Sequence, residues 1–246
     1  MKKILIICFL LSFFMSTVEA AEPMIIAYMD SYPPRSWEED GQMKGILVDV
    51  MTEALQNRLG IPLVHEGYPW ARAQKMVEQG TADAFISIPT EKRRVYTDIS
   101  QQPILNFELF LSTRKDHPKL LELQQINTLE ELKPYKIVEY YGNGFAQKTF
   151  EDFDVEWLPE ITAVYPFLAS GKADVLMLSD RGIYDLNRLG YQDRITVLPQ
   201  ALYKLSFHLC IGKKSQFKKI LPEVDKVLLQ MWEDGTLKKI SDRYYQ

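Results

Sequence analysis

A short basic run and one glycine-rich turn supply the groups best suited to holding an anion in this sequence. Residues 92–94 read Lys-Arg-Arg, and the planar guanidinium of Arg93 can pair with a carboxylate through two parallel hydrogen bonds. Tyr141-Gly142-Asn143-Gly144 ends a predicted strand and begins a predicted helix, so its backbone N–H groups can hold an anion or a polar ligand. By itself, a run of three basic residues is more typical of a solvated surface.

Groups for catalysis or metal binding are sparse. Three histidines lack the spacing of metal ligands: His65, His117 and His208. The sequence contains no Gly-x-Ser-x-Gly, P-loop or dinucleotide-binding motif. The carboxylates considered for acid–base chemistry are Glu139, Asp180 and Glu38, and none belongs to a catalytic motif. We therefore predict no catalytic residue, no metal site and no cofactor.

The composition indicates a folded protein without a nucleic-acid partner. Of the 246 residues, 46% are hydrophobic and 25% are charged, which excludes the disordered and low-complexity classes. The 29 basic and 33 acidic residues give a formal net charge of −4. Nucleic-acid binding depends on basic groups that neutralise phosphates, so a chain without basic excess is a poor candidate for it. The length fits one or two lobes.

The first twenty residues have the pattern of a cleaved secretory signal. A basic start precedes an apolar run from Ile4 to Met15, and Val18-Glu19-Ala20 places small residues where a signal peptidase reads them. The run is shorter than the roughly 20 residues that span a bilayer. We predict cleavage after Ala20, with a retained N-terminal anchor as the alternative.

The two cysteines are compatible with export but give little further information about function. Cys8 lies in the apolar run, and the residues before it lack the small side chains of a lipoprotein cleavage site. Removal of the signal leaves Cys210, so no internal disulfide can form. Cys210 lies in an apolar predicted strand, where we expect a buried, unreactive thiol.

Beyond the signal, predicted strands alternate with predicted helices. Apolar residues recur with helical spacing from Leu47 to Leu55, and Gly60 ends that helix. The predicted strands are 24–29, 63–68, 84–88, 136–140, 155–158 and 175–178. The other predicted helices are 71–79, 145–153, 162–170 and 181–189. This alternation predicts an α/β fold in which helices connect parallel strands.

A repeated pattern favours two lobes rather than one large sheet. Gly80-Thr81-Ala82-Asp83 and Gly171-Lys172-Ala173-Asp174 each follow a helix and open a buried strand. An extended run at 103–113 and a pair of such runs within 195–211 can cross between the lobes, out and back. The C-terminal helix, with an apolar face from Phe217 to Met231, then closes the first lobe.

Several short motifs, taken in order, give the chain a family resemblance from about Met24 to Tyr244. They are Tyr32-Pro33-Pro34, Asp40-Gly41, residues 45–50, 80–84, 90–93, 98–100, 171–174 and 232–237. With them the chain resembles the type II periplasmic solute-binding proteins of the extracellular amino-acid-binding (family 3) type. The resemblance implies two α/β lobes, joined by two hinge strands, that close over a small ligand. The implied segments are the signal peptide at 1–20, a first lobe at 21–109 and 205–246, and a second lobe at 110–204.

In the first lobe, the resemblance implies a carboxylate site flanked by aromatic rings. Arg93 would hold the ligand carboxylate, and Ser87 would add a hydroxyl. Tyr32 and Trp70 would stack on the ligand side chain, with an ordinary core position as the alternative for both. Arg72 is either a second positive group of the site or a solvated helix residue.

In the second lobe, the resemblance places polar ligand contacts at two strand ends. Asn143 and Gly144 stand where amino-acid binders often carry a Gly-Thr pair. Ser179 occupies the position of the acid that pairs with a ligand ammonium, and Asp180 follows it directly.

The predicted function is that of a periplasmic, non-enzymatic solute-binding protein. It would capture an amino acid or related small carboxylate and, as a monomer, deliver it to an ABC-type permease in the inner membrane. A dehydratase-like enzyme on the same scaffold and a ligand-sensing module without transport are the alternatives, because one fold supports several functions.

Overall fold

The computed structural model describes residues 22–141 and 143–244, so the predicted signal peptide and Gly142 lie outside the described residues. The strands are β1 (Met24–Met29), β2 (Ser31–Tyr32), β3 (Ser36–Glu39), β4 (Gln42–Lys44), β5 (Leu63–Tyr68), β6 (Ala84–Ser87), β7 (Thr97–Ile99), β8 (Leu105–Arg114), β9 (Ile137–Tyr140), β10 (Val155–Leu158), β11 (Leu176–Leu178) and β12 (Ile195–Gly212). The helices are α1 (Ile46–Met51), α2 (Trp70–Gln79), α3 (Glu91–Arg94), α4 (Leu120–Leu123), α5 (Gly144–Thr149), α6 (Val164–Ala169), α7 (Asp180–Arg188), α8 (Leu221–Glu233) and α9 (Thr236–Asp242). In these described ranges, every helix is too short or too polar to cross a membrane.

The first lobe is built on parallel strands. β1 pairs in parallel with both β5 and β6, and the last part of β12 pairs antiparallel with β6. A π-helical segment, Thr52–Arg58, continues α1, and α8 packs against it. The apolar faces of these helices are fully buried, as at Met51, Leu55 and Leu228. The stripe of apolar residues in the sequence therefore forms the core of this lobe.

The second lobe repeats the arrangement on a smaller scale. β9 pairs in parallel with β10, and Ile137 of β9 also forms a parallel bridge with Val175. β11 pairs antiparallel with β8. Val138, Tyr165 and Leu168 are buried in its core.

The repeated glycine-to-aspartate pattern has the same structural role in each lobe. Gly80 and Gly171 both adopt positive φ, which glycine tolerates at a helix end. The Asp83 carboxylate then accepts a hydrogen bond of 2.8 Å from the backbone N–H of Ile25 in β1. The Asp174 carboxylate accepts one of 2.8 Å from the N–H of Lys136, just before β9. Each aspartate thus ties the start of one strand to the start of its parallel neighbour.

Two long strands, β8 and β12, connect the lobes and pair with each other. Their antiparallel register runs from Ile195 opposite Arg114 to Phe207 opposite Leu105. The predicted lobe boundaries fall within this ladder, where Leu109 lies opposite Tyr203 and Glu108 opposite Lys204.

Some elements differ from the sequence predictions for local physical reasons. The two runs expected within 195–211 form a single strand, with a register shift between Val197 and Ala201. Pro199 lies in that interval, and a proline has no N–H to donate to the ladder. The helix predicted over 145–153 ends at Thr149, because Phe150 turns into the core and packs edge-on against Phe153 at 5.3 Å.

Candidate ligand-binding site

A cavity of about 1000 Å³ lies between the two lobes. On the first lobe it is lined by residues at the ends of β1 and β6, including Met29 and Ser87. On the second lobe it is lined by residues at the ends of β9 and β11, including Tyr140 and Ser179. Ligands of α/β proteins bind beyond the carboxyl ends of parallel strands, so this position suits a ligand site.

Arg93 and Trp70 form one wall of the cavity together. The Thr90 side chain caps α3 by accepting from the Arg93 N–H at 3.3 Å. The Arg93 guanidinium donates through Nη1 to the Ile88 carbonyl at 2.7 Å and lies 5.4 Å from the centre of the Trp70 ring. Burial lowers the pKa of this guanidinium, but arginine keeps its charge in proteins. The wall therefore presents a positioned cation against an aromatic face.

The packing of Trp70 and one further predicted residue, Ser87, complete this wall. Trp70 packs edge-on against Phe85 with ring centres 5.4 Å apart, which fixes its orientation. Ser87 is buried at the end of β6 and lines the cavity beside it.

Asn143 links the second-lobe side of the cavity to the helix that follows it. Its Oδ1 accepts from the N–H of Ala146 at 3.1 Å and so caps α5. Its Nδ2 donates to Oε2 of Glu139 at 3.0 Å. Gly144 also lines the cavity, and a Cβ at that position would meet no atom within 4 Å. Asn143, Gly144 and Ser179 are thus brought together with the first-lobe residues around one space.

Two predicted residues are not among those that line the cavity. Arg72 is exposed on α2, and its guanidinium lies 4.7 Å from the centre of the Tyr68 ring, in agreement with the solvated alternative. Asp180 forms an ion pair with Arg35, which turns its carboxylate toward the first lobe. Its proximity in sequence to Ser179 therefore does not place it on the cavity surface.

Arg35 is an important residue that the sequence did not indicate. It is 1% exposed, and its guanidinium carbon lies 4.2 Å and 4.9 Å from the ring centres of Phe107 and Phe207 on the two connecting strands. It also donates to the Tyr32 hydroxyl at 2.9 Å, in addition to its pair with Asp180. Arg35 therefore joins the first lobe, the connecting strands and the second lobe. The available signal was its position directly after Tyr32-Pro33-Pro34.

Tyr32 lies between cations from both lobes. The guanidinium carbon of Arg181, on α7, lies 4.6 Å from the centre of the Tyr32 ring, and that of Arg35 lies 5.4 Å from it. Arg181 is buried and forms an ion pair of 2.9 Å with Asp185. Tyr32 lines the cavity, but its ring face is also engaged in contacts between the lobes.

Glu139 is the buried carboxyl group of the cavity wall. It is 1% exposed, and burial raises its pKa to about 8. In the described part of the chain, no group of three or more His, Cys, Asp or Glu residues is arranged to hold a metal ion.

Comparison with known protein families identifies the family of this chain. Residues 24–246 match the family model of bacterial extracellular solute-binding proteins, family 3. The protein belongs to this family. A comparison with curated protein sequences gave no match.

Solved structures show which fold this family 3 protein shares. A histidine kinase sensor domain with similarity to periplasmic binding proteins has a TM-score of 0.70 and 16% identity, and the match covers 91% of this chain and 96% of that one. The arginine-, lysine-, histidine-binding protein ArtJ from Geobacillus stearothermophilus has a TM-score of 0.67, 15% identity and coverage of 91% and 95%. The ancestral amino-acid-binding protein AncCDT-1, a precursor of cyclohexadienyl dehydratase, has a TM-score of 0.65, 19% identity and coverage of 91% and 96%. These likenesses confirm the predicted two-lobed α/β fold with two hinge strands.

Proposed function

We propose that this family 3 protein binds a small ligand bearing a carboxylate, with amino acids as the first class to test. The observation that carries the proposal is a single cavity lined by Arg93 and Trp70 from one lobe and by Asn143 and Ser179 from the other. Arg93 supplies the carboxylate partner, Trp70 the apolar face, and Asn143 and Ser179 the polar contacts. The similarity to an amino-acid-binding protein of the same fold supports the ligand class.

In this proposal the ligand favours closure because it contacts both lobes at once. Residues from both lobes line the cavity, so a bound ligand completes its contacts only when the lobes are together. A ligand shifts a conformational equilibrium by its difference in affinity for the two states. Closure over the ligand would then be the state that a permease recognises.

A thermal-shift panel of amino acids, dicarboxylates and small amines tests the binding proposal. A ligand at 100 times its dissociation constant should raise the free energy of unfolding by about 2.7 kcal/mol, which gives a measurable shift in Tm. Analysis of each binding compound after incubation checks that it is not consumed. Conversion of a compound into a different product would show that the protein is an enzyme, and would favour the dehydratase alternative over the binding proposal.

Arg93 is the residue whose substitution tests the site. We expect Arg93→Ala to weaken binding of a carboxylate ligand by about 2–5 kcal/mol, because truncation leaves the anion desolvated and unpaired. Arg93→Lys should recover part of the loss, since an ammonium lacks the planar fork. Calorimetry on the folded variants gives both values.

Arg94→Ala is the matched control for Arg93. Arg94 is the next residue on α3, is exposed, and lies 3.9 Å from the Glu91 carboxylate. Its removal should change affinity by less than about 1 kcal/mol. Equally small losses of affinity in Arg93→Ala and Arg94→Ala would show that Arg93 does not hold the ligand carboxylate.

We propose that the protein acts in the periplasm as a monomer that serves an ABC-type permease. Its membership of an extracellular family and the signal pattern of residues 1–20 support export. The intact mass of protein from the periplasmic fraction should match a chain that begins at Ala21. A membrane-bound species that retains Met1 would contradict this location.

A further inference from the structure

Glu139 lines the cavity with a buried carboxyl group, and one of its two oxygens accepts no hydrogen bond from the described residues. Its Oε2 accepts from Asn143 at 3.0 Å. Its Oε1 is buried and has no hydrogen-bond partner among the described residues, although the residue lines the cavity. A buried polar atom without a partner has a desolvation cost, which a donor on a bound ligand would remove.

The surroundings of Glu139 provide little charge to stabilise its carboxylate. Burial is the main influence on its pKa and outweighs the hydrogen bond from Asn143. Among the elements packed against β9, α6 contributes Tyr165, which donates to the Gly182 carbonyl at 3.1 Å. β10 contributes Glu156, which pairs with Lys136 at 3.0 Å, and β11 contributes no titratable group.

Other charged groups near this wall have partners of their own or lie at its edge. Tyr140 is on the same strand as Glu139, and burial raises the pKa of its hydroxyl. Arg181 is paired with Asp185, and Lys148 is exposed on α5. Among the described residues that line the cavity there is no histidine.

We propose that Glu139 holds a cationic nitrogen of the ligand, an ammonium or a guanidinium, and releases its own proton when that cation binds. The inference rests on the proposed function, because it assigns a second ligand group to the same cavity. The step balances: neutral Glu139 and the cationic ligand become a carboxylate–cation pair, and one proton passes to solvent.

The ligand class that follows has a cation in addition to its carboxylate. A neutral carboxyl group gains little from a nearby cation, whereas a buried carboxylate paired with a cation forms a strong charge-assisted hydrogen bond. A cationic ligand therefore favours ionisation of Glu139 in the complex. A neutral ligand leaves Glu139 protonated and exchanges no proton.

L-lysine, L-norleucine and hexanoate test this requirement directly. The three share a six-carbon chain and a carboxylate, and they carry two, one and no cationic groups. Calorimetry at pH 7 in two buffers with different ionisation enthalpies measures protons released per ligand bound. With a pKa of about 8, Glu139 should release about 0.9 proton when the cation binds. Hexanoate should release none.

Glu139→Gln keeps the size of the side chain and an oxygen for Asn143 but removes the charge. We expect it to abolish proton release and to weaken binding of the cationic probe by about 30-fold or more. In the wild type, the affinity should rise nearly tenfold per pH unit from pH 6 to 7 and level off above about pH 8. Glu156→Gln, one strand away on β10 and outside the cavity lining, should leave proton release unchanged.

The outcomes separate this inference from the proposed function. Proton release that persists in Glu139→Gln, or hexanoate binding as tight as that of lysine and norleucine, overturns the role of Glu139. Stabilisation by dicarboxylates alone, with no cationic compound bound, also overturns it but leaves the proposed function standing. If no compound of the panel binds, both fail.

Discussion

At the scale of single residues, Glu139 makes the stability of the protein depend on pH. An unfolded glutamate has a pKa near 4.5, whereas burial raises the pKa of Glu139 in the folded protein to about 8. Between these values the unfolded chain has lost the proton that the folded chain still binds. The contribution of Glu139 to stability is therefore fully present below pH 4.5 and is lost as pH rises through 8.

We predict that Glu139→Gln gains stability relative to the wild type as pH increases. Glutamine does not ionise, so the difference in free energy of unfolding should grow by up to about 1.4 kcal/mol per pH unit between pH 5 and 8. Urea unfolding of both proteins at several pH values without ligand measures this difference. A difference that does not change with pH would show that Glu139 titrates in its ordinary range.

At the scale of elements, the two aspartates that tie neighbouring strands together make equivalent contacts. Asp83 accepts from Ile25 N–H and from the Ser215 hydroxyl at 2.6 Å. Asp174 accepts from Lys136 N–H and lies 3.0 Å from Nε2 of His117. Although partial burial acts in the opposite direction, the hydrogen bonds from His117 and Lys136 lower the pKa of Asp174. Both lobes thus use a carboxylate to align parallel strands.

We predict that Asp83→Ala and Asp174→Ala each destabilise the protein by about 1–3 kcal/mol. Each substitution leaves a backbone N–H of the adjacent strand without its acceptor. Asparagine at either position retains an acceptor oxygen and should cost less. Chemical denaturation measures the losses, and Asp116→Ala is the control, because that side chain is 81% exposed and should change stability by less than about 0.5 kcal/mol. Losses no greater than this control would mean that water replaces the carboxylates.

The elements could be predicted from the sequence more fully than the contacts of the site. Strand 24–29 matches its predicted bounds, because a largely buried strand requires a continuous apolar run. Strand 155–158 also matches its predicted bounds, although its residues are only half-buried and include Glu156. The short strands β2 to β4 were not predicted, since they contain few apolar residues to mark them. Cys210 is fully buried, as expected, and burial raises the pKa of its thiol to about 12.

The features of the site that could not be predicted from the sequence depend on contacts between residues that are far apart in it. Arg35 and Asp180 are 145 positions apart, and their pairing depends on how the two lobes meet. The buried state of Glu139 likewise depends on how the helix and strands packed against β9 enclose it, although its sequence neighbours Val138 and Tyr140 are those of an ordinary strand. The family resemblance supplied Arg93 and Trp70 as candidate site residues, and the structure adds that their side chains contact each other.

At the scale of the whole molecule, contacts between the lobes favour the conformation in which they lie together. The Arg35–Asp180 pair and the Arg181–Tyr32 contact both cross from one lobe to the other. Asp180 is 29% exposed, so solvent moderates the strength of its ion pair. We estimate its contribution to closure at about 1 kcal/mol.

We predict that Asp180→Asn shifts the ligand-free protein toward separated lobes. A loss of about 1 kcal/mol changes the ratio of closed to open molecules by about fivefold. Small-angle scattering should show a larger radius of gyration than the wild type, and a bound ligand should reduce that difference. Asp193→Asn, an exposed substitution on the same lobe, should scatter as the wild type does. An unchanged radius for Asp180→Asn would mean that this pair does not hold the lobes together.

The pairing of β8 with β12 restricts how the two lobes can move relative to each other. Two separate tethers would allow the lobes to slide, twist and bend independently. Hydrogen bonds along the ladder make the two strands one ribbon, which resists sliding and bends where the ladder is irregular, at the adjoining register shifts between Val197 and Ala201 and between Ala201 and Tyr203. Pro199 lies in the first of these intervals. Closure is then reduced to nearly one angular degree of freedom, so a small ligand that biases this single angle can move an entire lobe.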